Sequence, residues 1–154
     1  MAYEVSIVRE VSANPEKVWA LITDLPRMGE WSPEATGGEW IEGAAAAAVG
    51  AQFKGTNKTA THNWESIVTV DVCDAPRKFS FSLHAAGTHL CDWVYEIEPS
   101  TTGCQVTHAW VASPQWAGFE EAGIGEKISG VPKRAPHNLR SMEITLDNLI
   151  KAVK

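Results

Sequence analysis

The sequence predicts an α+β fold in which one large antiparallel sheet packs against a long C-terminal helix. Three observations predict it. Six strand-like runs follow one another between residues 36 and 112, each closed by turn or breaker residues. A single apolar stripe at helical spacing then fills the last twenty or so residues. Ahead of both lies a short strand followed at once by a helix start, so the order is strand, helix, six strands, helix.

Each element has a local cause. From Val5 to Val11 the residues alternate, with Val5, Ile7 and Val11 on one face and Glu4, Ser6 and Glu10 on the other. Asn14-Pro15 starts a helix, because Asn is a good N-cap and Pro at the first helical position loses no needed N–H. Val18, Ile22 and Leu25 form its apolar stripe, and Pro26 is expected to end it. Strands are predicted near 36–42, 50–58, 64–73, 78–84, 89–98 and 104–112. Short connections make consecutive strands antiparallel neighbours, giving seven strands with the first. The alanine run 44–48 is compatible with a helical turn or a plain crossover loop. Residues 113–133, Gly-bearing and holding Trp116, Phe119 and Ile124, read as a loop with a helical turn, a candidate gate or an ordinary connection. The last helix begins between Pro132 and Pro136 and runs to about Val153, with Leu139, Met142, Leu146, Leu149, Ile150 and Val153 as its stripe.

Composition narrows the function classes. At 154 residues, one domain spanning 1–154 is expected, long enough to bury roughly 70% of its unfolded surface. A net charge of −6 with no basic stripe argues against nucleic acid. No apolar run approaches the roughly 18 residues a membrane span needs. The acidic, strand-like Met1-Ala2-Tyr3-Glu4-Val5 does not read as a signal peptide, and Cys73, Cys91 and Cys104 form an odd set without Cys-x-x-Cys spacing. Reduced thiols and a cytoplasmic location are therefore expected. Oligomeric state is not readable.

The stretch Asp24-Leu25-Pro26-Arg27-Met28-Gly29-Glu30-Trp31-Ser32-Pro33-Glu34 lies between the first helix and the run of strands. In that place it resembles the SRPBCC superfamily, the polyketide cyclase/dehydrase and lipid-transfer domains related to START and to the birch-pollen allergen. The resemblance spans essentially the whole chain, although only the Trp31 region is motif-like. It implies a helix-grip fold, a curved seven-stranded antiparallel sheet around the long C-terminal helix with a cavity between them. It also implies that function depends on what enters that cavity.

Strand parity names the inward residues, since side chains two apart share a face. Cys91, Trp93, Tyr95 and Ile97 oppose an acidic face, and Cys104, Val106, His108 and Trp110 oppose Gln105, Thr107 and Ala109. Phe79, Phe81 and Leu83 oppose Ser80, Ser82 and His84; Val68, Val70 and Val72 share parity with Trp64 and Ser66; Phe53 shares parity with Asn57. Trp40 is assigned inward as well. The expected apolar lining is thus Trp31, Phe53, Trp64, Phe81, Trp93 and Trp110 from the sheet side and Leu139 and Met142 from the helix, with Asn57 available to orient a ligand.

Polar residues on inward faces are the candidates for chemistry. His108 suits acid/base work near neutral pH, with Tyr95 beside it and Arg9 available to hold a carboxylate or enolate. Each has a plainer reading: a structurally satisfied histidine, a network tyrosine, and an arginine paired with Glu34 or another acid. Glu34 itself is read as a brace of the Trp31 turn. His84 and His89 flank a hairpin and approach each other, but without a third donor they make a poor zinc site. No catalytic triad order, phosphate loop, dinucleotide fingerprint or HExxH occurs, and no cofactor or metal is expected. Three functions remain: binding of a small hydrophobic molecule (a lipid, isoprenoid or polyketide-like compound), a cyclase or dehydratase using His108 with Tyr95 or Arg9, or a protein-interaction module using the sheet edge or the 113–133 loop.

Overall fold

The computed structural model describes residues 4–153. Met1, Ala2 and Tyr3, part of the N-terminal reading above, lie outside the described residues. Strand β1 (Glu4–Val11) is followed by helix α1 (Pro15–Ile22), a 3-10 helix (Leu25–Glu30) and strands β2 (Ala35–Ile41), β3 (Gln52–Lys58), β4 (Asn63–Asp74), β5 (Lys78–Ala85), β6 (Thr88–Ser100) and β7 (Gly103–Ala112). Short helices α2 (Trp116–Glu121) and α3 (Ile124–Ser129) then lead to α4 (Arg134–Val153). The seven strands form one sheet in the order β1-β7-β6-β5-β4-β3-β2, with every adjacent pair antiparallel. This is the expected meander, with β1 returned to the far edge beside β7.

The helix start at Asn14 is as read: its side chain accepts from the Lys17 N–H at 2.9 Å, and Pro15 opens the first turn. The helix stops earlier than expected, at Ile22, with Thr23 as its cap. Pro26 does not end α1; it lies in the first turn of the 3-10 helix, where a missing N–H costs nothing. Leu25 accordingly belongs to that 3-10 helix, and Val18 and Ile22 are the buried part of α1.

Parity holds from Cys91 onward in β6 and along β7, where Tyr95, Ile97, Cys104, Val106, His108 and Trp110 are all buried, while a register shift before Cys91 turns Leu90 inward as well. It fails at one place on β4. The register with β5 shifts between Val70 and Val72, so Val72 pairs with outward Ser80 and Cys73 pairs with inward Phe79. A bulge adds one residue and reverses the alternation beyond it, so Val72 faces outward and Cys73 packs against the core. On β5 the inward Phe81 and Leu83 are only half-buried, while Phe79 is fully buried. The inner surface is therefore filled at one end and open at the other.

Residues 44–48 form a loop without helix. Residues 113–133 are more ordered than a loop with one turn. Two helices form because Gly123 and Gly130 adopt φ of +72° and +76° at the two ends of α3, a conformation that glycine reaches without penalty. Gly130 also lies close to the β3–β4 turn: a Cβ there would come within 2.6 Å of Thr61 Oγ1 and 2.8 Å of His62 Nδ1. The Thr59 hydroxyl donates to the Ser129 carbonyl at 2.7 Å, fastening α3 to that turn.

Helix α4 spans 20 residues and begins inside the expected window. Met142, Leu146 and Leu149 are fully buried, while Leu139, Ile150 and Val153 flank them. Each full burial contributes about 1.5–3 kcal/mol. Among the described residues, no helix is long and apolar enough to cross a membrane.

Candidate functional site: a cavity with two unlike polar walls

Between the sheet and α4 lies a cavity of about 650 Å³. The sheet supplies Phe53, Trp64, Phe81, Trp93 and Trp110 to its wall, and α4 supplies Met142. Trp116 and Phe119 of α2 and Ile124 and Ile128 of α3 close one side. Ile124 and Ile128 line the space yet remain 45% and 44% exposed, so they border its opening. Segment 113–133 thus contributes a wall, and Trp116 is buried, edge-on to Trp110 at 5.1 Å.

Among the candidate residues, His108, Tyr95, Phe53, Asn57, Trp64, Phe81, Trp93, Trp110 and Met142 all border the cavity. Three do not. Arg9 shares the inward parity of β1, but at that sheet edge the inner face meets α4, and Arg9 pairs with Asp147 at 3.5 Å near solvent. Leu139 packs at the flank of α4, because the cavity-facing line of that helix runs through Asn138, Ser141, Met142 and Thr145. Trp31 is buried as an anchor: its carbonyl accepts from the Asn148 amide of α4 at 3.0 Å, and Arg27 stacks over its ring at 5.4 Å. The motif turn fixes α4 to the start of β2 and leaves the lining to others.

The first polar wall is on β6 and β7. Register pairs Tyr95 with His108, and the rings stack with centroids 3.9 Å apart and 12° between planes. His108 Nδ1 is buried without a hydrogen-bond partner. Burial alone drives the imidazole pKa down to about 3, so the ring is neutral at physiological pH. The same desolvation pushes the Tyr95 phenol well above its ordinary range. Cys91, also buried, is pushed up to about 12 by desolvation and is a thiol rather than a thiolate. This wall carries no charge.

The second wall surrounds the start of α4 and is charged. Arg134 Nη1 donates to both Glu34 oxygens, at 2.8 and 3.0 Å, and to Asn138 Oδ1 at 3.3 Å. His137 Nε2 lies 3.1 Å from Glu34 Oε1. The guanidinium sits over the Trp64 ring at 5.5 Å, a favourable cation–π placement. Burial raises the Glu34 carboxyl pKa, but hydrogen bonds and charge from His137 and Arg134 outweigh it and hold the group below its ordinary value. Glu120 of α2 accepts from the Arg134 backbone N–H at 3.0 Å, which caps the first turn of α4 and ties α2 to it. Glu34, Arg134 and Asn138 border the cavity.

From the sequence Glu34 reads as a brace of the Trp31 turn or a partner of Arg9, and Arg134, His137 and Asn138 carry no assigned role; Glu34 instead meets Arg134 and His137, and Arg9 takes Asp147. A usable signal was present. Asn138 lies four residues before Met142, and Arg134 four before Asn138, so the apolar stripe of α4 continues toward its N-terminus in polar residues. Polar groups on a buried stripe call for partners or a ligand. Asn57 does have one, donating to Ser66 Oγ at 3.1 Å. His84 and His89 approach as expected, with ring centroids 5.1 Å apart, and His89 Nε2 meets Asp92 Oδ1 at 2.8 Å. Among the described residues there is no cluster of three or more His, Cys, Asp or Glu arranged to hold a metal.

Comparison with solved structures shows the same architecture. Protein CV1439 of Chromobacterium violaceum is similar with a TM-score of 0.71 and 14% identity, over 98% of this chain and 97% of that one. The polyketide-cyclase-like protein Cgl2372 of Corynebacterium glutamicum is 26% identical with a TM-score of 0.64, over 99% and 90% of the two chains. An AHSA1-like protein of Aeromonas hydrophila is 15% identical with a TM-score of 0.64, over 96% and 90%. No curated protein matches the chain. The model of the family described as polyketide cyclase / dehydrase and lipid transport matches residues 2–153. With the helix-grip fold and its interior cavity, that match places the chain in this family, within the SRPBCC superfamily.

Proposed function

We propose that the protein binds a small, largely apolar molecule, a lipid, isoprenoid or polyketide-like compound, inside the cavity beneath α4. The observation that carries this reading is a space of about 650 Å³ walled mainly by aromatic and aliphatic side chains, with a few polar groups at two places. That combination suits a ligand-sized site, in which apolar area supplies affinity and sparse polar groups set orientation. Half-exposed Phe81, Leu83 and Trp93 on the inner face support it further, since a purely structural core would cover them.

A cyclase or dehydratase is the weaker reading. A general base works best with a pKa near the operating pH, and His108 is held far below it with no acid or base in hydrogen-bond contact. An interaction module is weaker again, because Trp116 is 5% exposed and turned inward rather than offered to a partner.

The test is displacement of a neutral fluorescent hydrophobic probe, with native mass spectrometry of gently purified protein to reveal anything carried along. Saturable binding is expected, weakened at least tenfold by Ser141→Phe, which fills the cavity from α4. Absence of saturable binding, or binding indifferent to Ser141→Phe, rejects an interior site.

A further inference from the structure

Resting on that reading, we infer that the cavity recognises its ligand through an uncharged acceptor oxygen, such as a ketone, ester or amide carbonyl, held by Asn138 and Arg134 at the start of α4. The starting observation is an imbalance. Three side-chain nitrogens on residues that line the cavity are buried without a partner: Asn138 Nδ2, Trp116 Nε1 and His108 Nδ1. An amide NH₂ and an indole N–H can only donate. The orientation of the Asn138 amide is fixed by its neighbour, because its oxygen accepts from Arg134 Nη1; turning it over would set NH₂ against a guanidinium. Asn138 is 1% exposed, and a buried unsatisfied donor costs about 1–3 kcal/mol. A ligand oxygen that meets this amide after a small rotation of the side chain removes that cost.

Arg134 extends the same donor surface. Every hydrogen bond its side chain makes to a described residue leaves from Nη1. The guanidinium is a rigid plane with five donors, so the remaining N–H groups are held in position, over Trp64, without an acceptor among the described residues.

Charge decides between a neutral oxygen and a carboxylate. A helix N-terminus together with an arginine would ordinarily favour an anion. Here the chain supplies its own: Glu34, held ionised, takes two hydrogen bonds from Arg134 and faces His137. A ligand carboxylate would enter beside that carboxylate in a largely water-excluded place, where like charges repel more strongly than in water. The Glu34–Arg134 pair thus presents oriented N–H groups while leaving no net positive charge to reward an anion.

Three naphthalenes of nearly equal size separate the cases: 2-acetonaphthone, 2-ethylnaphthalene and 2-naphthoate, measured by equilibrium dialysis at pH 7.5. The ketone is expected to bind at least tenfold tighter than the hydrocarbon, and naphthoate no tighter than the hydrocarbon. Asn138→Asp keeps an oxygen toward Arg134 and deletes the free amide donor, so the preference for the ketone over the hydrocarbon should fall below threefold. Asn138→Ala, which adds no charge, must give the same collapse, and circular dichroism checks that each variant is folded. Equal binding of ketone and hydrocarbon by the parent protein, or a preference that survives both substitutions, overturns the inference and leaves interior binding intact. Naphthoate binding tightest overturns it in favour of an anion site. If none of the three binds saturably, both this inference and the interior-binding reading fall.

Discussion

The cavity's two polar walls solve the same problem in opposite ways. On β6 and β7, a histidine and a tyrosine are buried by giving up charge: stacked rings, an unpartnered Nδ1, and a neutral imidazole. At the start of α4, charge is kept and matched, with Glu34 and Arg134 in direct contact and His137 and Asn138 around them. The difference follows from the elements involved. Adjacent antiparallel strands bring facing side chains close but provide no spare backbone donors. A helix N-terminus provides N–H groups and a positive end, which can stabilise a carboxylate. A titratable residue on an inward strand is therefore a poor guide to where polar chemistry is concentrated in this protein.

Breaking the matched wall should have the largest effect. Glu34→Ala leaves the Arg134 guanidinium, whose side chain is 11% exposed, without its partner. Removing one member of a buried pair costs about 3–5 kcal/mol, and the lower end is expected because the site borders a cavity. Denaturant unfolding at pH 7.5 would read it. The double variant Glu34→Gln/Arg134→Met should recover more than half of the loss, since an uncompensated charge is what costs most. A loss below about 1 kcal/mol for Glu34→Ala would mean that the pair is solvated and the contrast between the walls is false.

Mild acid should act on the other wall first. The folded-state pKa of His108, about 3, lies below its ordinary 6.5, so the unfolded chain binds the proton more readily. Its contribution is fully present above about pH 6.5 and is lost progressively as pH falls toward 3. Glu34 is also depressed, but from an ordinary 4.5, so its contribution fades only below that value. Between pH 6.5 and 4.5 the histidine dominates, at about 1.4 kcal/mol per pH unit. Unfolding free energies of the protein and of His108→Phe should diverge by about 2–3 kcal/mol over that interval, with the variant the flatter. Parallel pH profiles would show that His108 is solvated in the folded state, contrary to its burial.

How much of this was readable beforehand depends on the kind of regularity involved. The strand positions, the inward faces of β6 and β7, and the stripe of α4 follow from periods of 2 and 3.6 that the residues display directly, whereas the place of β1 beside β7 does not. The Val72 reversal does not, because a bulge leaves the residue types unchanged and alters only the count. Arg9 shows the limit of parity: its face was identifiable, but whether that face meets a cavity or a helix depends on where α4 crosses the sheet. The Glu34–Arg134 contact joins residues 100 apart in the chain, and no local pattern encodes such a meeting. What local pattern did carry was the polar continuation of the α4 stripe through Asn138 and Arg134. Leu139, one residue away, belongs to the apolar stripe by its hydrophobicity, although the cavity-facing line runs beside it.

The smallest expected effect is the most direct test of how the first wall works. At pH 7.5, His108→Phe replaces a neutral, Tyr95-stacked ring by another neutral ring and removes a buried nitrogen that has no partner. Deleting an unsatisfied polar atom is favourable, while the somewhat larger ring adds a packing cost, so stability should change by less than about 1 kcal/mol in either direction. Affinity for 2-ethylnaphthalene should stay within threefold, because the site keeps its apolar lining. A loss of 2 kcal/mol or more would show that His108 makes a hydrogen bond through a bound water or ligand that the protein needs to fold, which would make the β6–β7 wall a matched site like the one at α4. Measured beside Glu34→Ala at the same pH, the ratio of the two losses gives the asymmetry between the walls a number.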